Sequence, residues 1–424
     1  MIVTSIDISG GKVVQLRNGM EPVLERSDPL QVIRDFSLYG ETAIVDIDAA
    51  KGTGSNKELV VSLLREGVCR VGGGIRTVEE ASYYSDMGAD KVILGSAIFE
   101  RTPCPDGVSY GVNVEFLEGL AGAIGKNNII LALDVRGEMI VVGGWLVDTD
   151  LRIFDVLPEL ESFCSGFLVT KVEREGLMQG TDMEFFRKLR CLTTSRITAA
   201  GGISGTSEVA ELAELGIDVQ LGMAVYTGKL ELPEAFCASL NWKTDLLPVF
   251  AQDADGTALM LAYADRMAVL ESCRRRKLCF YSRSRQKLWM KGETSGNTLG
   301  LLRLRADCDG DALLATVVPS GPVCHTGMDT CFGNSKFTLE KLQALISERF
   351  ANPKPRSYTA TLDDKLVREK IMEEAQEVCE AATKAEVIWE AADVLYFLLV
   401  LMTKEGVSLS EVLAELQRRK KSSR

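Results

Sequence analysis

The stretch DCDGDALLATVVPSGPVCHTGMDTCF, residues 307–332, contains the only histidine of the 424-residue sequence, His325. It also contains three cysteines, Cys308, Cys324 and Cys331. Three thiolates with one open position describe a catalytic zinc site, whereas a structural site is closed by four protein ligands. Zinc lowers the pKa of a bound water to about 7, and a neighbouring imidazole could then move protons. We therefore predict that the three cysteines bind zinc and that His325 shuttles a proton.

Three carboxylates surround the first of these cysteines in the motif D-C-D-G-D. On an extended chain, alternate residues share one face, which would place Asp307, Asp309 and Asp311 opposite Cys308. Carboxylates favour a hard ion such as Mg²⁺, so the motif predicts a second metal beside the zinc. The alternatives are buried cysteines without a metal and a structural zinc knuckle. The spacing C-x15-C-x6-C, without paired C-x-x-C, disfavours the knuckle.

A second acidic pattern lies near the end of the chain. Glu374 and Glu377 are three residues apart in EEAQE, and Glu390 and Asp393 repeat that spacing in EAAD. On two adjacent antiparallel helices the four carboxylates would converge, and they would repel one another without a cation. The pattern predicts a magnesium site there. The alternative is a solvated helix face, although the neighbouring apolar run VIWEAADVLYFLLVLM argues against it.

The first half of the chain contains an internal repeat. VGGGIR at 71–76 recurs as AAGGIS at 199–204, and VILGSAIF at 92–99 recurs as VQLGMAVY at 219–226, at offsets of 128 and 127 residues. Glycine pairs at strand ends let backbone N–H groups approach an anion, although they also ease tight turns. The repeat predicts two phosphate cradles, formed by Gly73, Gly74, Gly95 and Ser96 and by Gly201, Gly202, Gly222 and Met223.

Two aspartates occupy matching strand ends between these cradles. Asp7 lies in SIDISGG and Asp134 lies in ALDVRGE, again 127 residues apart. Opposed carboxylates suit a general base and a general acid that act on a sugar between two phosphates. The substrate predicted for this half is therefore an elongated molecule with a phosphate at each end.

The segment YSRSRQKLWMKGETSGN at 281–297 has residues that suit a nucleotide. Arg283 and Arg285 offer forked donors to phosphate, and Trp289 offers a stacking surface. Ser295 begins a small polar S-G-N turn that offers backbone contacts. The alternative is an exposed edge strand, on which alternating arginine and serine are common.

The elements that must position these residues follow from periodicity. The first ~240 residues alternate short β-rich runs with amphipathic helical stretches. The eight candidate strands are IVTSID, TAIVDID, CRVGGG, KVILGS, IILALDV, GFLVTK, RITAAGG and VQLGMA. They predict a (β/α)8, or TIM, barrel. A mixed α+β segment begins near residue 240, and the pattern is helical from residue 338.

Composition limits the class of protein. A net charge of −12 argues against a nucleic-acid partner, and no apolar run is long enough to cross a membrane. MIVTSIDISGG has neither the basic nor the apolar region of a signal peptide. Eleven scattered cysteines are typical of a reducing compartment. We expect a cytoplasmic enzyme that binds phosphorylated nucleotides.

Residues 1–238 resemble the ProFAR isomerase family of histidine biosynthesis in SIDISGGKVVQL, VDIDAAKGTGSN, VGGGIR, LDVRGEMIVVGGW, AAGGIS and GMAVYTG. The resemblance implies an Amadori rearrangement with Asp7 as base, Asp134 as acid and Thr170 nearby. The sequence departs from the family at Lys171 and Glu175, where aspartates are usual, and at Gln15, where an arginine is common. The alternative is a barrel retained as a non-catalytic scaffold.

Residues 240–333 resemble phosphoribosyl-AMP cyclohydrolase in YSRSRQKLWMKGETSGN, DCDGDALL and GPVCHTGMDTCF. The resemblance implies hydrolysis of the N1–C6 bond of an N1-ribosylated adenine, with Lys291 and Glu293 among the substrate-binding residues. It also implies a homodimer, because two subunits of that family share the zinc ligands.

Residues 338–424 resemble phosphoribosyl-ATP pyrophosphohydrolase, an all-α relative of the MazG-type nucleotide pyrophosphatases. Lys370 and Glu373 fall on its motif with Glu374, Glu377, Glu390 and Asp393, which implies that Glu373 is a further magnesium ligand and that Lys370 binds the substrate. Phe397 stands where a histidine is common. Together the resemblances predict a trifunctional enzyme of three consecutive steps. The alternatives are a bifunctional enzyme with a non-catalytic barrel and a phosphate-ligand sensor with structural metals.

Overall fold

The structure is a computed structural model that describes residues 1–17, 19, 21–104, 107–333, 337–353 and 358–422. The chain divides into two compact units, Met1–Gly333 and Asn334–Arg424. The joint that the sequence predicts near residue 239 lies inside the first unit, where the barrel and the middle segment pack together.

Eight parallel strands form the barrel of the first unit. They are β1 (Ile2–Ser9), β2 (Glu41–Asp46), β3 (Cys69–Gly72), β4 (Lys91–Leu94), β5 (Ile129–Arg136), β6 (Gly166–Lys171), β7 (Arg196–Ala200) and β8 (Ile217–Leu221). Each strand pairs with the next, and β8 pairs with β1 from Ile2–Val219 onward, so the sheet is closed. The predicted (β/α)8 barrel and its eight strands are confirmed.

Apolar side chains fill the interior of the barrel, as strands buried on both faces require. An inner layer comes from six different strands, with Val3, Ala43, Ile93, Ile130, Leu168 and Ala200. The short helix α2 (Ile47–Lys51) follows β2 directly and buries none of its residues. The outer faces of the strands pack against α1 (Pro29–Phe36), α3 (Lys57–Leu64), α4 (Val78–Asp86), α5 (Val114–Ile124), α6 (Ile153–Leu160), α7 (Met183–Leu192), α8 (Thr206–Glu214), α9 (Met223–Tyr226) and α10 (Leu232–Ala238).

Three hairpins follow barrel strands at their carboxyl ends, the end at which barrels of this type place their sites. Their strands are Lys12–Arg17 with Glu21–Arg26, Phe99–Cys104 with Gly107–Val112, and Met139–Val142 with Val147–Arg152. The last of these hairpins carries Trp145 in its turn.

The middle segment is a mixed α+β fold, as predicted. Its strands are β9 (Leu247–Gln252), β10 (Ala258–Ala264), β11 (Cys279–Ser282), β12 (Lys287–Met290), β13 (Leu299–Ala306) and β14 (Leu313–Pro319), with helix α11 (Arg266–Arg275) after β10. Four strands form a sheet in the order β10-β9-β14-β13, and β11 pairs with β12. The segment contacts the barrel through ion pairs that include Arg276–Asp35 at 2.7 Å and Arg274–Glu234 at 2.6 Å.

The second unit is all-α over the residues described, as predicted. Its helices are α12 (Leu339–Ala351), α13 (Tyr358–Thr361), α14 (Asp364–Glu380), α15 (Lys384–Lys404) and α16 (Leu409–Ser422). A core that includes Ile346, Val367 and Phe397 holds them together. Ser408 begins the last helix: Glu411 N donates to Ser408 Oγ over 3.3 Å, and Glu411 Oε2 accepts from Ser408 N over 2.8 Å. Across the described residues, no helix is both long and apolar enough to cross a membrane.

Candidate active sites

A cavity of about 570 Å³ opens at the carboxyl ends of the barrel strands. Its lining includes every site residue that the sequence predicts in the barrel. These residues are Asp7, Gly73, Gly74, Gly95, Ser96, Asp134, Thr170, Glu175, Gly201, Gly202, Gly222 and Met223. The two halves of the internal repeat therefore contribute matching residues to one cavity.

The first glycines of the two cradles are required by the fold itself. Gly73 has φ +96°, and a Cβ there would lie 2.3 Å from the carbonyl oxygen of Asp46. Gly201 has φ +95°, and its Cβ would lie 2.5 Å from the carbonyl oxygen of Lys171. Both positions combine left-handed backbone with close packing against the preceding strand, which excludes any side chain. Because the turn alone requires these glycines, the anion cradle remains a prediction.

The two aspartates have raised pKa values. Burial raises the pKa of Asp7 to about 6, although the Ser5 hydroxyl, which donates to its carboxylate over 3.0 Å, opposes the shift. Burial also raises the pKa of Asp134, against hydrogen bonds from Trp145 and Thr170. A group poised near neutral pH is suited to exchange protons with a substrate.

Glu175 is a third carboxylate in the same cavity. Burial first, and then the negative charges of Asp7 and Asp134, raise its pKa to about 7. Lys171, the other departure on this loop, points away from the cavity: its ammonium donates to the carbonyl of Gly137 over 2.6 Å and lies 3.0 Å from Glu173. The charge introduced by Lys171 therefore does not enter the site.

Trp145 also lines the cavity, and our sequence reasoning did not single it out. Its indole Nε1 donates to Asp134 Oδ2 over 2.8 Å. Its φ of +70° is rare for a bulky residue, and its ring leaves no room for a side chain at Gly19, whose Cβ would lie 2.6 Å away. The G-G-W sequence after the hairpin strand was the available signal, since two glycines there permit an unusual turn.

The three predicted zinc ligands do not meet within one chain. Cys324 and Cys331 are hydrogen-bonded neighbours: bonds from Thr326 above all lower the pKa of Cys324, whereas burial and then the Cys324 charge raise that of Cys331. Cys308, however, forms no cluster with them, because among the described residues no group of three candidate ligands within 4.8 Å of one another contains a cysteine. One chain by itself therefore does not bring the three predicted ligands together, and their binding of zinc stays a prediction.

The hairpin β13–β14 explains the separation. Cys308 follows Ala306, which pairs with Leu313 at one end of the hairpin, while Cys324 follows Pro319, which pairs with Leu299 at the other. Seven residues of strand at about 3.3 Å each place these ends on the order of 20 Å apart. Sequence spacing could not reveal this, because it does not show where the chain reverses.

The D-C-D-G-D motif forms a turn instead of the extended strand that we predicted. Asp307 Oδ1 accepts from the backbone N–H of Asp311 at 3.1 Å and of Ala312 at 3.2 Å, and Gly310 has φ +77°. The carboxylates of Asp307, Asp309 and Asp311 nevertheless lie within 4.8 Å of one another. The reasoning from strand alternation was wrong, although the carboxylates do come together.

The predicted nucleotide-binding residues of the middle segment cluster around its β11–β12 hairpin. The Arg283 guanidinium lies 4.0 Å from the centre of the Tyr263 ring, and Arg285 lies 3.8 Å from Glu293 and 5.5 Å from the centre of the Trp289 ring. Lys291 belongs to the same set and is buried near Cys331 and Cys324. Ser295 also belongs to it, and its hydroxyl accepts a hydrogen bond from the backbone N–H of Asn297 over 3.3 Å. His325 is exposed, with Nδ1 3.9 Å from Cys324 Sγ.

The acidic pairs of the second unit converge, as the spacing predicts. Ligand oxygens of Glu374, Glu390 and Asp393 lie within 4.8 Å of one another, and Glu374 is only 7% exposed. Burial and the charges of Glu377, Glu374 and Asp393 raise the pKa of Glu390. The neighbouring Lys370 ammonium lies 2.7 Å from Glu373 and 3.5 Å from Glu374. Four carboxylates thus meet where α14 and α15 pack.

A barrel with carboxylates between twinned glycine turns, a thiol-bearing α+β segment and a helical unit with convergent carboxylates define a multidomain enzyme. Residues 1–231 match the family described as histidine biosynthesis protein, and the chain belongs to that family. Residues 260–333 match phosphoribosyl-AMP cyclohydrolase and residues 339–420 match phosphoribosyl-ATP pyrophosphohydrolase. The three domains correspond to the isomerase, cyclohydrolase and pyrophosphohydrolase that the sequence predicts.

Curated relatives are named as bifunctional proteins of histidine biosynthesis, and each matches less than half of this chain. The chain is 40% identical over 199 residues to the histidine biosynthesis bifunctional protein HisIE of Photobacterium profundum, which covers 43% of this chain and 96% of the relative. It is 41% identical over 192 residues to the HisIE protein of Escherichia coli, at 42% and 95% coverage. The corresponding protein of Pyrococcus furiosus is 40% identical over 207 residues, at 44% and 99% coverage.

Proposed function

We propose that this chain performs three consecutive steps of histidine biosynthesis at three separate sites, each with its own catalytic residues. Phosphoribosyl-ATP would be hydrolysed in the helical unit, the adenine ring of phosphoribosyl-AMP opened in the middle segment, and the resulting ProFAR isomerised in the barrel. The observation that carries the proposal is the match of each domain to a separate family, with acidic or thiol side chains gathered in each.

In the barrel, Asp7 would remove the C2′ proton and Asp134 would protonate the ring oxygen as the ribose opens. The raised pKa values of both carboxyls support these roles, because a raised pKa makes a carboxylate a stronger base and lets a carboxylic acid hold its proton to higher pH. Glu175 would keep a proton beside them, and Thr170 would orient Asp134. The glycine turns would bind the two phosphates of ProFAR through backbone N–H groups.

In the middle segment, Cys308, Cys324 and Cys331 would hold Zn²⁺, and Asp307, Asp309 and Asp311 would hold Mg²⁺. The donors suit these ions, since thiolates select zinc and clustered carboxylates select magnesium. When bound, zinc would activate water for attack on C6 of the adenine. His325 would carry the proton to or from that water, while the arginines, Trp289, Lys291, Glu293 and Ser295 would hold the nucleotide.

We propose that the chain is a homodimer through this segment. The separation of Cys308 from Cys324 and Cys331 supports it, because a second copy can supply the missing thiols. An apolar sheet face supports it as well: Leu261 is 51% exposed, Val318 is 53% exposed, and Phe250 stacks against the 66% exposed Phe332 with ring centres 6.5 Å apart. Such a face is typical of a surface that another protein covers.

In the helical unit, Glu374, Glu377, Glu390 and Asp393 would hold Mg²⁺. Their convergence around a buried carboxylate supports this, because a cation would relieve their repulsion. When bound, Mg²⁺ would stabilise the charge of the pyrophosphate as water splits the α–β phosphate bond. Lys370 would contact the phosphates, and Glu373, which lies 2.7 Å from its ammonium, would be a further ligand of the Mg²⁺.

Three single substitutions test the assignment of sites: Asp7→Ala, Cys324→Ala and Glu374→Ala, each assayed for all three steps. We expect each change to abolish one reaction, isomerase, cyclohydrolase or pyrophosphohydrolase respectively, and to spare the other two. A wild-type chain that lacks isomerase activity while both hydrolases work would support the non-catalytic barrel instead. A metal-replete wild-type chain that catalyses none of the three reactions would support the alternative of a phosphate-ligand sensor with structural metals.

We also propose a cytoplasmic location. All eleven cysteines are free thiols, and the proposed zinc ligands need a reducing compartment to remain so. Fractionation of cells that express the chain, with the redox state of Cys324 measured in each fraction, tests this location. Recovery of the active chain from an oxidising compartment would contradict it.

A further inference from the structure

A second cavity, of about 940 Å³, lies between the amino-terminal ends of the barrel strands and the middle segment. Cys308, with Asp307 and Asp309, lines its side in the middle segment. The opposite wall is the face of α8 that carries Ser207, Ala210 and Glu214, which recur at the three- and four-residue spacing of a helix. The proposed metal residues of one domain therefore open onto the surface of another.

The connection between the domains also holds the turn that carries Cys308. Asn241, just past the end of the barrel, donates its backbone N–H to Gly310 O over 2.9 Å and its side-chain amide to Asp309 O over 3.1 Å. A side chain at Gly310 would approach Asn241 N to 3.3 Å. Lys243 adds ion pairs to Asp309 at 3.1 Å and to Asp311 at 2.8 Å. The connection that follows the barrel thus fixes the position of this turn.

The cavity contains one of the three thiols and lacks the other two. Cys324 and Cys331 lie at the far end of the β13–β14 hairpin of the same chain. A loop that brings them to Cys308 must come from a second copy and enter beside Cys308, between the turn and α8. In this loop the side chain of Met328 is 46% exposed and that of Phe332 is 66% exposed, and an enclosed groove would cover both.

We infer that the barrel forms part of the cyclohydrolase half-site: α8 and the 239–243 connection build the wall of the groove that receives the 320–333 loop of a second copy. The inference rests on the shared zinc site proposed above and adds a partner surface to it. Asn241 is in this view a positioning residue, which acts through the turn that it holds. In this chain the isomerase barrel would then form a wall of its neighbour's active site as well as being a separate enzyme.

Thiol labelling of the full-length chain tests the location of the groove. Ser207→Cys places a thiol on the α8 wall, and Ala123→Cys, on the exposed surface of α5, is the matched control outside the cavity. Labelling rates with a bulky maleimide are compared, by mass spectrometry of peptides, between the zinc-loaded dimer and a monomer made by Leu261→Asp. We expect the thiol introduced on α8 to react at least tenfold more slowly in the dimer, and the thiol introduced on α5 to react equally in both. The native exposed cysteines Cys191 and Cys379 serve as internal references.

Two further measurements separate this inference from the proposal beneath it. Ala210→Trp, which fills the groove, should lower dimer content and zinc per chain at least severalfold, whereas Ala123→Trp should change neither. If the wild-type chain dimerises and binds zinc but the thiol introduced on α8 is labelled equally in dimer and monomer, the role of the barrel is overturned while the shared zinc site stands. If the zinc-treated wild-type chain is monomeric or retains no zinc, the shared site fails and the inference fails with it.

Discussion

The indole of Trp145 donates a hydrogen bond of 2.8 Å to Asp134, from a backbone conformation with φ +70°. A large residue adopts such a conformation only where its surroundings impose it. The carboxylate of Asp134 therefore has its proton affinity lowered by a side chain that belongs to a hairpin turn. The hydrogen bond from Thr170 also lowers the pKa of Asp134. Burial raises it by more than the two hydrogen bonds lower it, so the pKa is raised overall.

Trp145→Phe should slow isomerisation and leave both hydrolases unchanged. The substitution keeps the ring and removes the N–H, so Asp134 loses a hydrogen bond to its charged form, worth about 1.5–3 kcal/mol. We expect kcat/KM for the isomerase to fall about 10- to 100-fold, measured by steady-state kinetics at neutral pH. Trp389→Phe, on the exposed surface of α15, is the control. An unchanged isomerase would show that the hydrogen bond is not used in the reaction.

Glu175→Gln should stabilise the fold at high pH while it reduces isomerase activity. The pKa of Glu175 is about 7 in the folded chain against 4.5 for the free side chain, so the folded state binds more protons between these values. Stability is therefore lost as pH rises from about 4.5 to 7, and the glutamine variant avoids that loss. The expected gain at pH 8 is on the order of 3 kcal/mol, and it vanishes at pH 4.

Urea denaturation at pH 4, 6 and 8 measures this difference. Glu159→Gln, on the exposed surface of α6, should change the free energy of unfolding little at any of these pH values. A gain for Glu175→Gln that is equal at pH 4 and pH 8 would mean that its cause is not the titration of this carboxyl.

Gly73→Ala and Gly201→Ala should each destabilise the barrel more than Gly88→Ala. All three glycines have φ near +100°, but the Cβ at Gly73 or Gly201 would lie within 2.5 Å of a backbone oxygen, whereas at Gly88 it would meet nothing within 4 Å. The control thus isolates the backbone strain, on the order of 1 kcal/mol, from the clash. Thermal unfolding measures the loss of stability in each variant. Similar losses at all three positions would refute the role of close packing.

Mixing two inactive variants should restore cyclohydrolase activity if two chains share the zinc. Cys308→Ala and Cys324→Ala each remove a ligand, but a mixed dimer keeps one complete site. With random exchange, half of the dimers are mixed, so about a quarter of wild-type activity should return. The measurement is the cyclohydrolase rate after equal amounts are mixed and allowed to exchange. Activity that stays at the level of the separate variants would place all ligands in one chain.

The order of the elements could be predicted from the sequence, because the period of apolar residues records which faces are buried. The eight barrel strands and the acidic pairs on α14 and α15 follow from that rule. The matching positions of Gly73 and Gly201 also follow, since an internal repeat maps onto the symmetry of a closed barrel. Trp145 could not be found this way, because the G-G-W sequence indicates an unusual turn but does not show that the turn places the indole against Asp134.

The sequence by itself determined which residue types each domain brings to its site: carboxylates and glycine turns in the barrel, thiols and aspartates in the middle segment, and paired acids on the helices. Only the tertiary structure decided which of them meet. Asp7, Asp134 and Glu175 share one cavity because the ends of parallel strands converge in a closed barrel. Cys308 lies apart from Cys324 because the two residues follow opposite ends of the β13–β14 hairpin.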